Sequence, residues 1–201
     1  MAVTQFCEDN SLVEWSVAIR AFGSESGDQY LVSRTADGVL VAVVDGLGHG
    51  PAAAAVAKAA ITALDADPAR DLPGRLAHCH ACLRDTRGAV LSLAAFAPGR
   101  LTWLGVGNVD GVLVRAGSRA VEQLLVRSGI VGARLPSLEV TRVTVARGDT
   151  LILATDGVDG QFVEDAAAFR AQLTAEHLLV RHGKGTDDAL VMIVRYLGPG
   201  E

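Results

Sequence analysis

The chain has 201 residues, half of them apolar and a fifth charged, with a formal net charge of −5 and a pI near 5.5. That balance excludes a disordered chain, argues against a nucleic-acid or anionic-membrane surface, and suits one domain spanning 1–201. Three cysteines make no disulfide framework, no apolar run is long enough to span a bilayer, and the first residues lack a signal peptide's pattern, so the expected setting is cytoplasmic.

Residues 1–12 read as a loose or edge segment. Glu14–Arg20 alternates polar and apolar and predicts a strand, followed by a turn at Gly23–Asp28. Gln29–Arg34 and Gly38–Val44 predict a hairpin around Thr35-Ala36-Asp37-Gly38. Helices are expected at Ala52–Leu64, entered through Pro51, and at Asp71–Asp85, capped by Asp71 with Pro73 in its first turn. Short strands then follow in succession: Ala89–Ala97, Arg100–Val106, Gly111–Arg115, Val121–Val126, Leu138–Val145 and Thr150–Thr155. One helix is expected over Glu164–Arg181, and Ala189–Tyr196 closes the chain as a strand. Roughly ten strands in hairpin succession, with helices in two blocks, predict an α+β fold of two stacked antiparallel sheets with helices outside.

Val39–Val44 has no charged residue and reads as a strand buried on both faces, yet it ends in Asp45, ringed by Gly46, Gly48 and Gly50. A carboxylate at the end of a buried strand, among residues without Cβ, makes a good cation site. Thr150–Thr155 also ends in Asp-Gly, at Asp156-Gly157. Asp28 precedes one strand and Asp187-Asp188 another, and neighbouring antiparallel strands bring ends and starts to one edge. Carboxylates meeting there would repel one another unless cations stood between them, and oxygen-only donors favour Mg²⁺ or Mn²⁺. Ordinary turn chemistry is the alternative for any one of these pairs.

Gly27-Asp28, Asp45-Gly46-Leu47-Gly48-His49-Gly50, Thr155-Asp156-Gly157-Val158 and Asp187-Asp188, taken in order, resemble the metal-dependent serine/threonine phosphatases of the PPM (PP2C) class. Thr86-Arg87-Gly88-Ala89 and Gly105-Val106-Gly107-Asn108 are most similar to its bacterial SpoIIE-type branch. The resemblance implies a four-layer αββα sandwich and two Mn²⁺ or Mg²⁺ ions. It implies Asp28, Asp45, the Gly46 carbonyl, Asp156 and Asp187 as metal ligands, with Asp45 central to catalysis and Asp188 a supporting or weaker ligand. It implies, as partners, phosphorylated STAS-domain proteins of a stressosome-like complex, in a feedback role in stress signalling.

Three positions depart from the class. Leu47 stands where eukaryotic members carry a His, and His49 two residues on could act as general acid, cap the helix or support the loop. The phosphate-binding Arg has no clear counterpart, Arg20 being a candidate only by lying upstream of Asp28. Leu190 stands where Thr or Ser is common. Elsewhere, Cys79 and Cys82 share a helix face and read as buried small residues more than as a zinc or redox pair, for want of further ligands. The glycines after Val44 also suit a dinucleotide-binding turn, but Asp45 would oppose a pyrophosphate. Trp15 and Trp103 read as packing residues, His177 and His182 as solvated. A phosphoprotein-sequestering relative and a hydrolase of small phosphate esters are the competing functions.

Overall fold

The computed structural model describes residues 2–4, 12–67, 69–118, 120–168 and 174–199. Its strands are β1 Ala2–Thr4, β2 Val13–Arg20, β3 Asp28–Thr35, β4 Gly38–Gly46, β5 Ala89–Ala97, β6 Arg100–Val106, β7 Asp110–Val114, β8 Val121–Leu124, β9 Val126–Arg127, β10 Thr141–Thr144, β11 Thr150–Ala154 and β12 Ala189–Tyr196. Its helices are α1 Pro51–Asp65, α2 Leu72–Cys82, α3 Phe162–Ala168 and α4 Ala175–His182. One sheet runs β1-β2-β12-β11-β7-β8, and the other β10-β6-β5-β4-β3 with β9 added in parallel to β6.

Side-chain alternation along β4 explains the layering. Val39, Val41 and Val43 face the other sheet and join Leu151, Leu153, Met192 and Val194 in the inter-sheet core. Leu40, Ala42 and Val44 point the opposite way and pack against α1 and α2 through Val56, Ala60, Leu64 and Leu76. The outer face of the β1-β2-β12-β11-β7-β8 sheet is covered in the same manner by α3 and α4, through Phe162, Ala166, Leu178 and Leu179. The order is therefore helices, sheet, sheet, helices: the expected α+β sandwich, with β4 buried on both faces. Trp103 lies in the inter-sheet core and donates to the Leu125 carbonyl at 2.9 Å, while Trp15 packs on Tyr30 with ring centroids 5.6 Å apart.

Several expectations need correction. Glu164–Arg181 is not one helix: α3 ends at Ala168, and Thr174 is extended (φ −116°, ψ 150°), capping α4 by accepting from the His177 N–H; 169–173 lie outside the described residues. The Val121–Val126 strand divides, because β8 pairs with β7 and β9 crosses to β6 in the other sheet. Only Thr141–Thr144 of Leu138–Val145 is strand, and α2 stops at Cys82. Ala2–Thr4 forms an edge strand on β2, in keeping with the edge reading of 1–12, while residues 1 and 5–11 lie outside the described residues. Cys79 is buried but Cys82 is exposed, its Sγ 3.7 Å from His78 Nε2. His177 is exposed as expected, whereas the His182 side chain is 9% exposed and its Nε2 lies 2.7 Å from Asp165 Oδ2.

Candidate active site

Two hairpin registers deliver the acidic strand ends. The turn between β3 and β4 pairs Thr35 with Gly38, and counting outward from that pair sets Asp28 opposite Asp45. In the other sheet β11 pairs Ala154 with Val191, and the Thr155 N–H donates to the Leu190 carbonyl at 3.1 Å. That register carries Asp156 to the same edge as Asp187 and Asp188. Asp45, Asp156 and Asp187 line a cleft of about 420 Å³, together with Leu47, Gly48, Asn108, Ser128 and Gly129.

Asp28 and Gly46 do not line that cleft. Asp28 is 1% exposed, and its Oδ2 accepts from the Thr155 hydroxyl at 2.8 Å; the same hydroxyl accepts from the Leu190 N–H at 2.8 Å. Gly46 is buried against α1, where a Cβ would stand 2.3 Å from the Ala53 carbonyl oxygen. Asp188 is buried as well. Its two oxygens accept from the Phe22 and Gly27 N–H groups, each at 2.7 Å, pinning the turn that leads into Asp28.

Charge dominates the site. Burial, followed by the negative charges of Asp156, Asp187 and Asp188, pushes Asp45 up to about 7. Burial above all, and then Asp45, hold Asp28 well above the usual carboxylate range against the opposing Thr155 hydrogen bond. Asp156 is oriented by Asn108 Nδ2, which donates to its Oδ2 at 2.7 Å, and by Lys184 Nζ, which donates to its main-chain carbonyl at 2.7 Å. Asn108 and Thr155 fall inside the sequence motifs, although the motifs alone assign them no task. Lys184 stands in an unremarked Gly-Lys-Gly turn with no signal to mark it.

These donors are oxygens, charged and mutually repelling, which is the chemistry of a hard divalent cation. Among the described residues no three His, Cys, Asp or Glu side chains close on a single point as a ready-made cage. The fit to Mg²⁺ or Mn²⁺ thus lies in donor type and in the field the carboxylates share. His49 is exposed, edge-on to the Phe22 ring at 5.9 Å, and the N-terminus of α1 has no side-chain cap, so His49 does not cap the helix. Arg20 does not line the cleft: its Nη2 is packed against Gly183, where a Cβ would stand 2.2 Å away, and is buried without a hydrogen-bond partner among the described residues. Leu190 is part of the inter-sheet core.

The family profile described as Stage II sporulation protein E (SpoIIE) matches residues 35–200. The chain belongs to the SpoIIE family. It is a PP2C-type phosphatase domain, as the ordered Asp-Gly motifs imply. This SpoIIE-family chain is 24% identical over 135 residues to the phosphoserine phosphatase RsbX of Bacillus subtilis (strain 168), covering 66% of this chain and 67% of that one. It is 31% identical, with a TM-score of 0.81, to a chain solved in work on the bacterial stressosome as a modular system adapted to control secondary messenger signalling, covering 91% of this chain and 99% of that one. RsbX in complex with magnesium has the same fold, with a TM-score of 0.80, 21% identity, and coverage of 97% and 98%. So does the catalytic domain of the serine/threonine phosphatase PstP in complex with two manganese ions, with a TM-score of 0.67, 20% identity, and coverage of 92% and 99%.

Proposed function

We propose that the SpoIIE-family chain is a Mn²⁺- or Mg²⁺-dependent protein serine/threonine phosphatase, formed as one domain over 1–201, that acts on phosphorylated STAS-domain proteins of a stressosome-like complex. The observation that carries this reading is Asp45, which ends a strand buried on both faces and is raised to about 7 by burial and the acids opposite it. A group so placed is costly unless a cation uses it. The likeness to the stressosome-associated chain and to RsbX supports the substrate class.

Asp28, Asp45, the Gly46 carbonyl, Asp156 and Asp187 would hold two ions. When bound, such ions lower the pKa of a water and neutralise charge developing on a phosphoryl group. The chain's own part is to position. Asn108 and Lys184 fix Asp156, Thr155 fixes Asp28, and Asp188 holds the turn before Asp28.

The test is hydrolysis of p-nitrophenyl phosphate with and without Mn²⁺, for the wild type beside Asp45→Asn. Turnover that requires Mn²⁺ and vanishes in the variant is the expected outcome. Mn²⁺ binding without turnover, on this ester or on a phosphorylated STAS domain, would favour sequestration of phosphoproteins, and absence of Mn²⁺ binding would overturn the reading.

A further inference from the structure

We propose that Arg87 receives the phosphate group of the substrate at the rim of the cleft. The inference rests on reading the site as a phosphatase centre, and it supplies what that site lacks. The side chains lining the cleft that carry charge are Asp45, Asp156 and Asp187, all acids. A phosphomonoester dianion approaching them meets repulsion, which a protein cation facing its peripheral oxygens would offset. Lys184 is engaged with the Asp156 carbonyl, and Arg20 is packed against Gly183.

Arg87 is exposed and has no hydrogen bond or ion pair to another described residue. Its guanidinium nevertheless lies against the cleft. A Cβ on the cleft-lining Gly48 would stand 2.9 Å from Arg87 Nη1, which places the guanidinium beside the cleft, and Gly48 has φ +93°, a conformation that favours glycine there.

The backbone carrying Arg87 is built in on both sides. The Thr86 hydroxyl donates to the Leu83 carbonyl at 2.7 Å and accepts from the Gly88 N–H at 3.0 Å. The Gly88 carbonyl accepts from the Leu47 N–H at 3.1 Å, tying this loop to the turn that follows Asp45. A guanidinium offers N–H donors in a planar fork that matches two phosphoryl oxygens, with a charge that persists at every working pH. An unpaired fork held next to Gly48 is therefore poised for an anion that the neighbouring carboxylates cannot themselves bind.

The experiment measures binding of inorganic phosphate by calorimetry to the Mn²⁺-loaded chain, together with p-nitrophenyl phosphate kinetics. Wild type, Arg87→Ala, Arg87→Lys and Arg84→Ala are compared; Arg84 is an exposed charge three residues earlier. Loss of charge-assisted hydrogen bonds is expected to weaken phosphate binding and lower kcat/KM in Arg87→Ala by about 10- to 100-fold. Arg87→Lys should recover part of the loss, Arg84→Ala should match wild type, and the rise in melting temperature with Mn²⁺ should be the same in all four. Phosphate binding that is absent from wild type or unchanged in Arg87→Ala would overturn the proposal. So would loss of the Mn²⁺ response in Arg87→Ala, which would make Arg87 a support for the acid cluster. Phosphate binding that depends on Arg87 in a chain without turnover would instead overturn the phosphatase reading and leave the anion site standing.

Discussion

Asp45 is raised to about 7 by burial and by three neighbouring carboxylates, while in the unfolded chain an aspartate titrates near its ordinary value of about 3.9. Between those values the folded state holds more protons than the unfolded one, so stability falls as pH rises through that window and levels off above it. Asp28, raised by burial and by Asp45, acts in the same direction. Chelator-treated protein is therefore expected to melt at progressively lower temperature from about pH 4 to about pH 7. Asp45→Asn, which keeps the shape and removes the charge, should melt above wild type at pH 8 without metal, and should lose the rise that Mn²⁺ gives the wild type. Thermal melts across pH, with and without Mn²⁺, read both effects. A metal-free wild type that is insensitive to pH over this range would show that the carboxylates do not strain one another. At this scale the ordered acids were legible in the sequence because each ends or begins a strand, Asp45 and Asp156 at an Asp-Gly pair, Asp187 and Asp188 as an Asp-Asp pair, and Asp28 after Gly27. Lys184 was not, since one lysine in a glycine turn is indistinguishable from a solvated charge, and Arg87 falls inside a motif that assigns it no task.

At the scale of elements, Asp188 works as a clasp between β12 and the turn preceding β3. Its oxygens satisfy two amides that lie 166 and 161 residues away in the chain. Asp188→Ala leaves those N–H groups without an acceptor and is expected to destabilise the fold by about 1–3 kcal/mol. Hydrogen exchange should show the change first at Phe22 and Gly27, with the amides of β5 and β6 unaffected until global unfolding. Equal loss of protection everywhere would mean that the turn is no separate unit. The elements were legible where a period or a turn signal spoke: the β4 run, the β3–β4 hairpin and the Pro51 start of α1. Glu164–Arg181 was misread because its alanines and alternating charges suit a helix throughout, while Thr174 starts a new one by capping it. The jump from β8 to β9 was hidden too, since a change of sheet leaves the local pattern of apolar residues unaltered.

On the scale of the whole molecule, the cleft is bordered by a loop whose fixed and free parts are separable. Ala89 and Val131 exchange main-chain hydrogen bonds of 2.9 and 2.8 Å, and the Gly132 N–H donates to His80 Nδ1 at 2.9 Å. Ser128 before those anchors and Ala133 and Arg134 after them are exposed. Replacing Ala133 and Arg134, which do not line the cleft, while keeping Val131 and Gly132 should alter which phosphoprotein is processed and leave p-nitrophenyl phosphate turnover unchanged; parallel loss of both activities would show the loop to be structural. The segment 157–168 on the other side of Asp156 is not free in this way, because α3 buries Phe162 and Ala166 in the core beneath it.

The chain's sequence by itself determined the β3–β4 hairpin, the start of α1 and the pairing of Asp28 with Asp45, because an antiparallel hairpin sets its register from a turn a few residues away. Only the tertiary structure decided that the Asp45 end of one sheet meets the Asp156 and Asp188 ends of the other, joined by the Thr155 hydroxyl, which donates to Asp28 127 residues away in the chain. It alone laid Arg87 against Gly48. Those meetings depend on how two sheets stack through their shared apolar core, and that core constrains side-chain volume without recording in any local pattern which strand ends it will bring together.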